Sequence, residues 1–217
     1  MSSSIAARVE VMQQELAGQL PASALNVFVG EIARFQAEGL PAGVATPGTP
    51  MPDGALLDAH GAATTLTAAR NGRPAVVVTY RGAWCPYCNV ALRTYQEDLL
   101  PALRERGIEL IALSPQKPDQ SLSTVEKNGL GFTVLSDPGN QIAEALGVLT
   151  QHSERAHETQ RELGLDLADV NADGGYGLPM PTVLLVGADG VIRWIDVHPD
   201  YSTRTEVADI LPALDLL

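Results

Sequence analysis

The stretch Trp84-Cys85-Pro86-Tyr87-Cys88 decides how this chain is interpreted, because it contains both cysteines of the 217 residues. An apolar run at residues 74–80 comes just before it and has the composition of a buried strand. A helical pattern at residues 89–104 follows, and Gly107 stands where that helix should end. A second apolar run at residues 108–113 completes a strand–helix–strand unit, which predicts two parallel strands with the cysteines after the first.

The two cysteines are spaced so that both belong to the start of the predicted helix. We place Cys85 at the N-cap and Pro86 at the first helical position, where a proline loses no hydrogen bond. The free amides and the dipole of a helix N-terminus favour an anion, and the thiolate is the reactive form of cysteine. This argument predicts a lowered pKa and a nucleophilic role for Cys85, and a resolving role for Cys88.

The charges around the cysteines agree with an anionic sulfur. No Asp or Glu occurs between Arg73 and Gln96, although the chain has 26 acidic residues. The charged residues of that stretch are Arg73, Arg81 and Arg93. The absence of carboxylates avoids raising the cysteine pKa, and we predict that Arg81 stabilises the thiolate or the substrate oxygens.

Three other roles are open to a close cysteine pair. A structural disulfide here would close a very short loop and add little stability. A zinc site would need two more ligands from His60, His152, His157 and His198, and the spacing of His152 and His157 points them to different helix faces. Two unreactive core cysteines are the third alternative. We favour a redox pair, with no metal and no bound cofactor.

A second feature near the predicted site is Met180-Pro181-Thr182, which opens an apolar run at residues 183–186. A proline at the first position of a strand is tolerated because no ladder donor is needed there. The interpretation we favour is a cis-proline whose turn borders the dithiol and leaves a backbone edge free for a substrate or partner. The expected substrate-binding residues are Trp84, Pro86, Pro181 and Thr182.

The N-terminal part of the chain differs in character from the rest. Residues 3–39 carry two apolar stripes at helical spacing, separated by Pro21, and predict a helical hairpin. This hairpin should pack on the main domain or on a second subunit. Residues 43–53 are rich in Pro and Gly and read as a linker. We therefore divide the chain into a helical extension, 1–45, and a main domain, 46–217.

The main domain shows further elements. Residues 181–186 and 191–197 are joined by Ala188-Asp189-Gly190, which predicts a β-hairpin. Other predicted elements are a short strand at 56–61, helices at 122–129, 140–146, 151–163 and 203–211, a strand at 132–135 and a loop at 165–178. Pro212 should end or kink the last helix.

The composition argues against several classes of partner. The formal net charge is −12, and no basic patch of the kind that nucleic acids or anionic membranes attract is present. The apolar runs are too short to span a bilayer, and the N-terminus lacks the pattern of a secretory signal. We therefore expect a cytoplasmic protein that binds neither nucleic acid nor membrane. In the cytoplasm, a lone cysteine pair is expected to be catalytic or sensing.

The dithiol stretch at residues 84–88 and the strand that starts at Pro181 together resemble those of the thioredoxin-fold proteins. Trp84-Cys85-x-x-Cys88 is similar to the thioredoxin active site, and Pro86-Tyr87 is similar to that of glutaredoxins. From about residue 53 to the end, the chain resembles peroxiredoxins of the alkyl hydroperoxide reductase and thiol-specific antioxidant type, within them the bacterioferritin-comigratory branch. The similar pieces are residues 79–89, 111–114, 132–137, the strand that starts at Pro181 and the tail at residues 196–204.

The resemblance implies an α/β thioredoxin-like fold, with a central mixed sheet flanked by helices and the N-terminal extension added outside it. It also implies a thiol-dependent peroxidase that reduces hydrogen peroxide or organic hydroperoxides. In such an enzyme a thiolate becomes a sulfenic acid, a second thiol condenses with it, and thioredoxin or a similar dithiol reduces the resulting Cys85–Cys88 disulfide. A homodimer is compatible with this interpretation.

The chain departs from the peroxiredoxin pattern Pro-x-x-x-Thr/Ser-x-x-Cys. Counted back from Cys88, the hydroxyl position is Cys85 and the proline position is Arg81. Counted back from Cys85, these positions are Gly82 and Val78. The pattern thus favours Cys88 as the attacking sulfur, whereas the helix argument, which we follow, favours Cys85.

The family's arginine is also displaced, because Met180 and Pro181 stand near its usual place. Arg81 is the first candidate to replace it, and Arg193 is a weaker one. Two alternatives to a peroxidase stay open: a thioredoxin-like disulfide oxidoreductase, and a redox-sensing module in which the N-terminal helices mediate assembly.

Overall fold

The protein is described by a computed structural model that covers residues 4–217. The strands are β1 (Leu56–Asp58), β2 (Ala63–Thr64), β3 (Ala75–Thr79), β4 (Glu109–Ser114), β5 (Thr133–Ser136), β6 (Leu149–Thr150), β7 (Leu178–Pro179), β8 (Thr182–Val186) and β9 (Ile192–Val197). Seven of them form one sheet in the order β2-β1-β5-β4-β3-β8-β9, and β6 pairs with β7.

Helices surround this sheet. They are α1 (Ile5–Ala17), α2 (Ala22–Glu38), α3 (Leu66–Arg70), α4 (Pro86–Thr94), α5 (Leu100–Glu105), α6 (Pro118–Asn128), α7 (Gln141–Ala145), α8 (Glu154–Glu162), α9 (Leu167–Val170) and α10 (Val207–Ala213). A π-helical turn, Tyr95–Leu99, joins α4 to α5. Within residues 4–217, no helix combines the length and the apolar character that crossing a bilayer requires.

The predicted strand–helix–strand unit and the predicted hairpin are both confirmed. Strand β3 runs parallel to β4, with Val77 opposite Ile111, and antiparallel to β8, with Val77 opposite Leu184. Strands β8 and β9 form the antiparallel hairpin that the Asp-Gly turn predicts. The α/β architecture expected from the sequence, a mixed central sheet flanked by helices, is therefore present.

Each face of the sheet carries its own apolar core because successive strand residues point to opposite sides. In β3, Val76 and Val78 belong to one core, and Ala75 and Val77 belong to the other. The first core also receives both cysteines of α4, together with apolar side chains of α1 and α10. The dithiol thus sits on the face of the sheet that the N-terminal hairpin covers.

Some predicted boundaries are wrong. The segment predicted as a loop at residues 165–178 contains helix α9 and strand β7. The Asp166 side chain accepts a hydrogen bond from the Ala168 amide and so starts α9, a cap that the surrounding glycines obscure in the sequence. The last helix begins at Val207, later than predicted, and continues past Pro212, which lies close enough to its end that little hydrogen bonding is lost.

The hairpin of α1 and α2 packs on the main domain, which is one of the two arrangements that the sequence predicts. Residue 3, where the predicted hairpin begins, lies outside the described part of the chain. The amides of Ile5 and Ala6 donate to the two carboxylate oxygens of Glu206, each at 2.8 Å. A carboxylate at a helix N-terminus is favourable because it satisfies free amides and meets the positive end of the dipole. The contact fixes α1 next to the start of α10. The domain boundary at residue 45 stays a prediction.

A buried carboxylate fixes α2. The side chain of Glu31 is 6% exposed, bonds Arg34 at 2.9 Å and accepts the Ser153 amide at 3.0 Å. Burial by itself raises the pKa of Glu31, but the hydrogen bonds from Arg34 and Ser153 and the charge of Arg34 outweigh it and lower the pKa from 4.5 to about 2. Helix α2 is therefore bound to the segment that leads into α8.

We expect Glu31→Gln to lower the free energy of unfolding at pH 7 by about 2–3 kcal/mol, because Arg34 and the Ser153 amide lose their charged partner. A carboxyl whose pKa is lowered on folding stabilises the fold above its unfolded pKa, so this difference should shrink as the pH falls from 4.5 towards 2. Urea unfolding at pH 7 and pH 3 measures both effects. Glu38→Gln is the control, because Glu38 also pairs with Arg34 but is 55% exposed. Equal losses in the two variants would contradict this account.

Candidate active site

The turn between β3 and α4 positions the cysteines. Cys85 is the N-cap of α4 and Pro86 occupies the first turn, as the sequence predicts. Gly82 precedes them with φ 151°, and a Cβ at this position would lie 2.4 Å from the Trp84 Nε1 atom. Gln116 secures the turn by accepting the Ala83 amide at 2.8 Å. A glycine is thus required where the chain leaves the strand for the helix.

Both sulfurs are buried but they have different partners. Cys85 and Cys88 are free thiols, each 1% exposed. The Arg204 Nη2 atom lies 3.0 Å from the Cys88 Sγ atom and 3.9 Å from the Cys85 Sγ atom. The Arg81 amide also donates to the Cys88 Sγ atom, at 3.4 Å. The stronger donors therefore converge on Cys88.

The pKa values of the two thiols consequently separate. Burial raises the pKa of Cys85 well above its usual value, and the hydrogen bond and negative charge of Cys88 raise it further. Burial also raises the pKa of Cys88, but the hydrogen bond from Cys85, the charge of Arg204 and the Arg81 amide bring it well below its usual value. The two thiols share one proton as a pair, and the direct donors to Cys88 favour the negative charge there and the proton on Cys85. The expectation of a lowered pKa at Cys85 is therefore wrong, because direct donors to Cys88 outweigh the helix N-terminus.

Arg204 lies in the segment between β9 and α10 and is locked there. Its Nη1 atom donates to the carbonyl oxygens of Tyr201 and Thr203. The next residue, Thr205, accepts the Tyr95 hydroxyl on its carbonyl at 2.7 Å and donates its own hydroxyl to Asp196 at 2.9 Å. The two carbonyls hold the guanidinium directly, and the contacts of Thr205 hold the backbone next to it.

Arg81 lies beside the dithiol in an aromatic setting. Its guanidinium carbon is 4.1 Å from the centre of the Tyr201 ring and 4.9 Å from that of Trp84. Its Nη2 atom donates to the His152 Nε2 atom at 2.6 Å. Burial and the Arg81 charge lower the pKa of His152 to about 2, so the imidazole is neutral and accepts this bond. The predicted closeness of Arg81 to the thiols is found, and its charge lowers the pKa of both.

A cavity of about 340 Å³ opens beside the dithiol. Arg81, Trp84, Cys85, Pro86 and Tyr87 line it on the side of α4. Cys88 is not among the lining residues in the described part of the chain. Cys85 therefore borders this cavity, although it is 1% exposed, whereas Cys88 is outside the described lining.

Pro181 and Thr182 lie in the sheet at the start of β8. The Met180 carbonyl accepts the hydroxyls of Thr79 at 2.7 Å and Thr182 at 2.9 Å, and the Pro181 carbonyl accepts the His198 amide at 2.9 Å. The expectation of a cis-proline is wrong: over residues 4–217 every peptide bond is trans. A proline at the start of a strand fits with a trans bond, because the backbone N–H that it lacks is not used in the hydrogen bonding between strands at that position. The substrate-binding roles of Pro181 and Thr182 stay predictions.

Other candidate residues lie apart from the dithiol. Arg193 pairs with Asp189 at 2.6 Å on the β8–β9 hairpin. His157 lies against Tyr176, with ring centres 4.8 Å apart. Within residues 4–217, no group of three or more His, Cys, Asp or Glu side chains is placed to hold a metal ion. Arg204 is the site residue that the residue-by-residue argument missed, and its one signal was the similarity of the tail at residues 196–204 to peroxiredoxin relatives.

Comparison with known proteins gives the following similarities. The profile of the AhpC/TSA family matches residues 47–195. Peroxiredoxin Bcp of Escherichia coli is 30% identical over 102 residues, which are 47% of this chain and 64% of Bcp. The thiol-disulfide oxidoreductase ResA of Bacillus anthracis is 34% identical over 74 residues, which are 34% of this chain and 42% of ResA. The chain thus matches less than two thirds of the length of these curated relatives.

The fold has solved counterparts. Reduced Prx3 of Vibrio vulnificus, whose crystal structure is a complex with hydrogen peroxide, superposes with a TM-score of 0.63 and 18% identity, over 79% of this chain and 99% of Prx3. At this identity the match establishes the fold, which is thioredoxin-like as the sequence predicts. Helices α1 and α2 and the residue Arg204 lie outside the matched residues 47–195.

Proposed function

Because this chain belongs to the AhpC/TSA family, we propose that it is a thiol-dependent peroxidase in which the Cys85 sulfur attacks a hydroperoxide. The observation that carries this proposal is the buried dithiol, in which the Cys88 sulfur lies 3.0 Å from Arg204 and Cys85 borders a cavity. The site combines an anionic sulfur that can attack a peroxide, a second sulfur that can resolve the sulfenic acid, and the guanidinium groups of Arg81 and Arg204, which can stabilise the leaving oxygen.

The first step follows from the position of the proton. Cys85 transfers its proton to the Cys88 thiolate, and the resulting Cys85 thiolate attacks the terminal oxygen of the hydroperoxide. The O–O bond breaks, Cys85 becomes a sulfenic acid, and the alkoxide or hydroxide that leaves takes the proton from Cys88. A thiolate of high pKa is the stronger nucleophile, so the raised pKa of Cys85 favours attack once its proton has moved.

The second step uses the thiolate restored at Cys88. It attacks the sulfenic sulfur of Cys85, a disulfide forms, and the hydroxide that leaves is protonated to water. Arg204 faces both sulfurs and stabilises the negative charge in each step. Arg81, which lines the cavity, stabilises the leaving oxygen.

We assign the reduction of the disulfide to thioredoxin or a similar dithiol, which exchanges through a mixed disulfide and returns both thiols. The proposal includes a cytoplasmic location, where such reductants keep a free pair reduced. A homodimer stays a prediction.

The test is an assay with thioredoxin, thioredoxin reductase and NADPH, to which hydrogen peroxide or cumene hydroperoxide is added. We expect NADPH consumption that depends on this protein and on both of its cysteines. A protein whose cysteines are both replaced by serine controls for the background rate. Consumption equal to that background with both peroxides would reject the peroxidase.

The second candidate is a disulfide oxidoreductase, which the similarity to ResA and the Trp84-Cys85-x-x-Cys88 sequence favour. It predicts rapid reduction of insulin disulfides and no peroxide-dependent NADPH consumption. The redox-sensing module remains the third alternative, and it predicts that oxidation changes the oligomeric state with neither activity.

A further inference from the structure

The cavity at Cys85 has a second wall that does not come from the family's common fold. Apolar residues of the N-terminal hairpin line it, among them Leu16, Leu20, Leu25, Phe28, Val29 and Ile32. All of them lie before residue 47, where the match to the family profile begins. The hairpin therefore adds a wall, outside the matched family region, to the cavity that Cys85 borders.

The position of this wall is fixed by contacts with the site itself. The Tyr201 hydroxyl donates to the Phe28 carbonyl at 3.2 Å, and the ring of Tyr201 stacks on the Arg81 guanidinium. Glu31 and Glu206 hold the two helices of the hairpin at either side. The cavity is thus a formed pocket, and its volume of about 340 Å³ lies at the lower end of the range for small-molecule sites.

The chemistry of the lining restricts the ligand. Arg81 is the one formally charged residue among the described residues that line the cavity, and it lies at the end near the sulfur, bonded to the neutral His152. On the hairpin side the lining is apolar except for Gln13, whose side-chain amide donates to the Tyr87 hydroxyl, and contact of the apolar part with water is unfavourable. Hydrogen peroxide has no group that would use this wall, whereas a hydrocarbon group attached to the peroxide oxygens would displace that water.

We propose that the α1–α2 hairpin forms a specificity pocket for the hydrocarbon group of an uncharged alkyl or aryl hydroperoxide. The hydrocarbon lies against the hairpin, and the peroxide oxygens lie between the Cys85 sulfur and the Arg81 guanidinium. Since this rests on the proposed peroxidase function, it predicts which hydroperoxide is reduced most efficiently. A ligand carrying a carboxylate fits poorly, because the described residues that line the hairpin side of the cavity include no cation and the chain has a net charge of −12.

The test compares two matched substitutions on the hairpin. Val29 lines the pocket and is 63% exposed, and Val11 is 57% exposed on α1 but does not line it. For Val29→Asp we expect the ratio of kcat/KM for cumene hydroperoxide to kcat/KM for hydrogen peroxide to fall by about tenfold. For Val11→Asp we expect the same ratio as for the unchanged protein, in which kcat/KM is higher for cumene hydroperoxide than for hydrogen peroxide. Ala17→Trp, which fills the pocket from the end of α1, should lower the ratio as well.

The outcomes separate this proposal from the one it rests on. If neither hydroperoxide is reduced by the unchanged protein, the peroxidase proposal fails. If both are reduced but Val29→Asp and Ala17→Trp leave the ratio as it is, the pocket is refuted while the peroxidase stands. If Val29→Asp changes the sedimentation coefficient and not the ratio, the wall is an interface between copies of the chain, which also overturns the pocket.

Discussion

A Cys85→Ser variant should lose peroxide reduction by at least about 10³-fold, whereas a Cys88→Ser variant should still be oxidised once per chain. Cys85 borders the cavity and Cys88 is not among its described lining residues, so we expect the Cys85 sulfur to meet the substrate first. In Cys88→Ser the negative charge that raises the pKa of Cys85 is removed, and the charges of Arg81 and Arg204 that lower it remain. Cys85 should therefore form a stable sulfenic acid when no second thiol can condense with it.

Trapping of the sulfenic acid with dimedone, followed by mass spectrometry, measures this difference in a single turnover. The two variants control for each other, because each loses one sulfur and keeps a hydroxyl of similar shape in the same buried turn. Thermal unfolding of both establishes that they remain folded. Labelling of Cys85→Ser at Cys88, with none in Cys88→Ser, would assign the attack to Cys88, as the peroxiredoxin pattern suggests.

In an Arg204→Gln variant the Cys88 thiol should no longer ionise at low pH, and peroxidase activity at pH 7 should fall by roughly 10²-fold. The guanidinium 3.0 Å from Cys88 helps to lower the pKa of that thiol, and a cation so close to an anion commonly accounts for about 1–3 pKa units. The thiolate absorbance at 240 nm should therefore appear at a higher pH in the variant. Because the wild-type pair is ionised well below the usual thiol pKa, the deficit in rate should shrink as the pH rises towards 9.

Two further variants make this prediction specific. Arg193→Gln removes an arginine that pairs with Asp189 on the β8–β9 hairpin, so its thiolate titration should match the wild type. Arg204→Lys keeps the positive charge and should restore part of the pKa shift and part of the rate. A titration curve of Arg204→Gln that matches the wild type would show that the Cys85 hydrogen bond and Arg81 are sufficient to lower the pKa of Cys88, and would remove Arg204 from the mechanism.

The local parts of the fold and site were predictable because neighbouring residues determine them. Pro86 after Cys85 specifies a helix start, and Asp189-Gly190 specifies a hairpin turn, whatever the rest of the chain does. Both features require only a few consecutive residues. The same holds for the buried strand β3, which an apolar run of consecutive residues specifies.

The order of the two thiol pKa values could not be predicted in this way. It depends on Arg204, which is separated from Cys88 by 116 positions in the sequence, and on the equal burial of both sulfurs. A helix N-terminus acts on both sulfurs, and direct contacts decide between them. Pro181 shows the same limit: its trans geometry follows from the pairing of β8 with β3 and from the contacts of Thr79, which residues 180–182 alone do not reveal.

The burial of the two sulfurs has a consequence for how fast the oxidised protein is recycled. A small dithiol such as dithiothreitol fits a cavity of about 340 Å³, but a protein dithiol does not. Because both cysteines are buried, we expect a protein reductant to need a local opening of the chain, which has its own free-energy cost. We therefore expect the size of the reductant, more than its redox potential, to set the lifetime of the disulfide form.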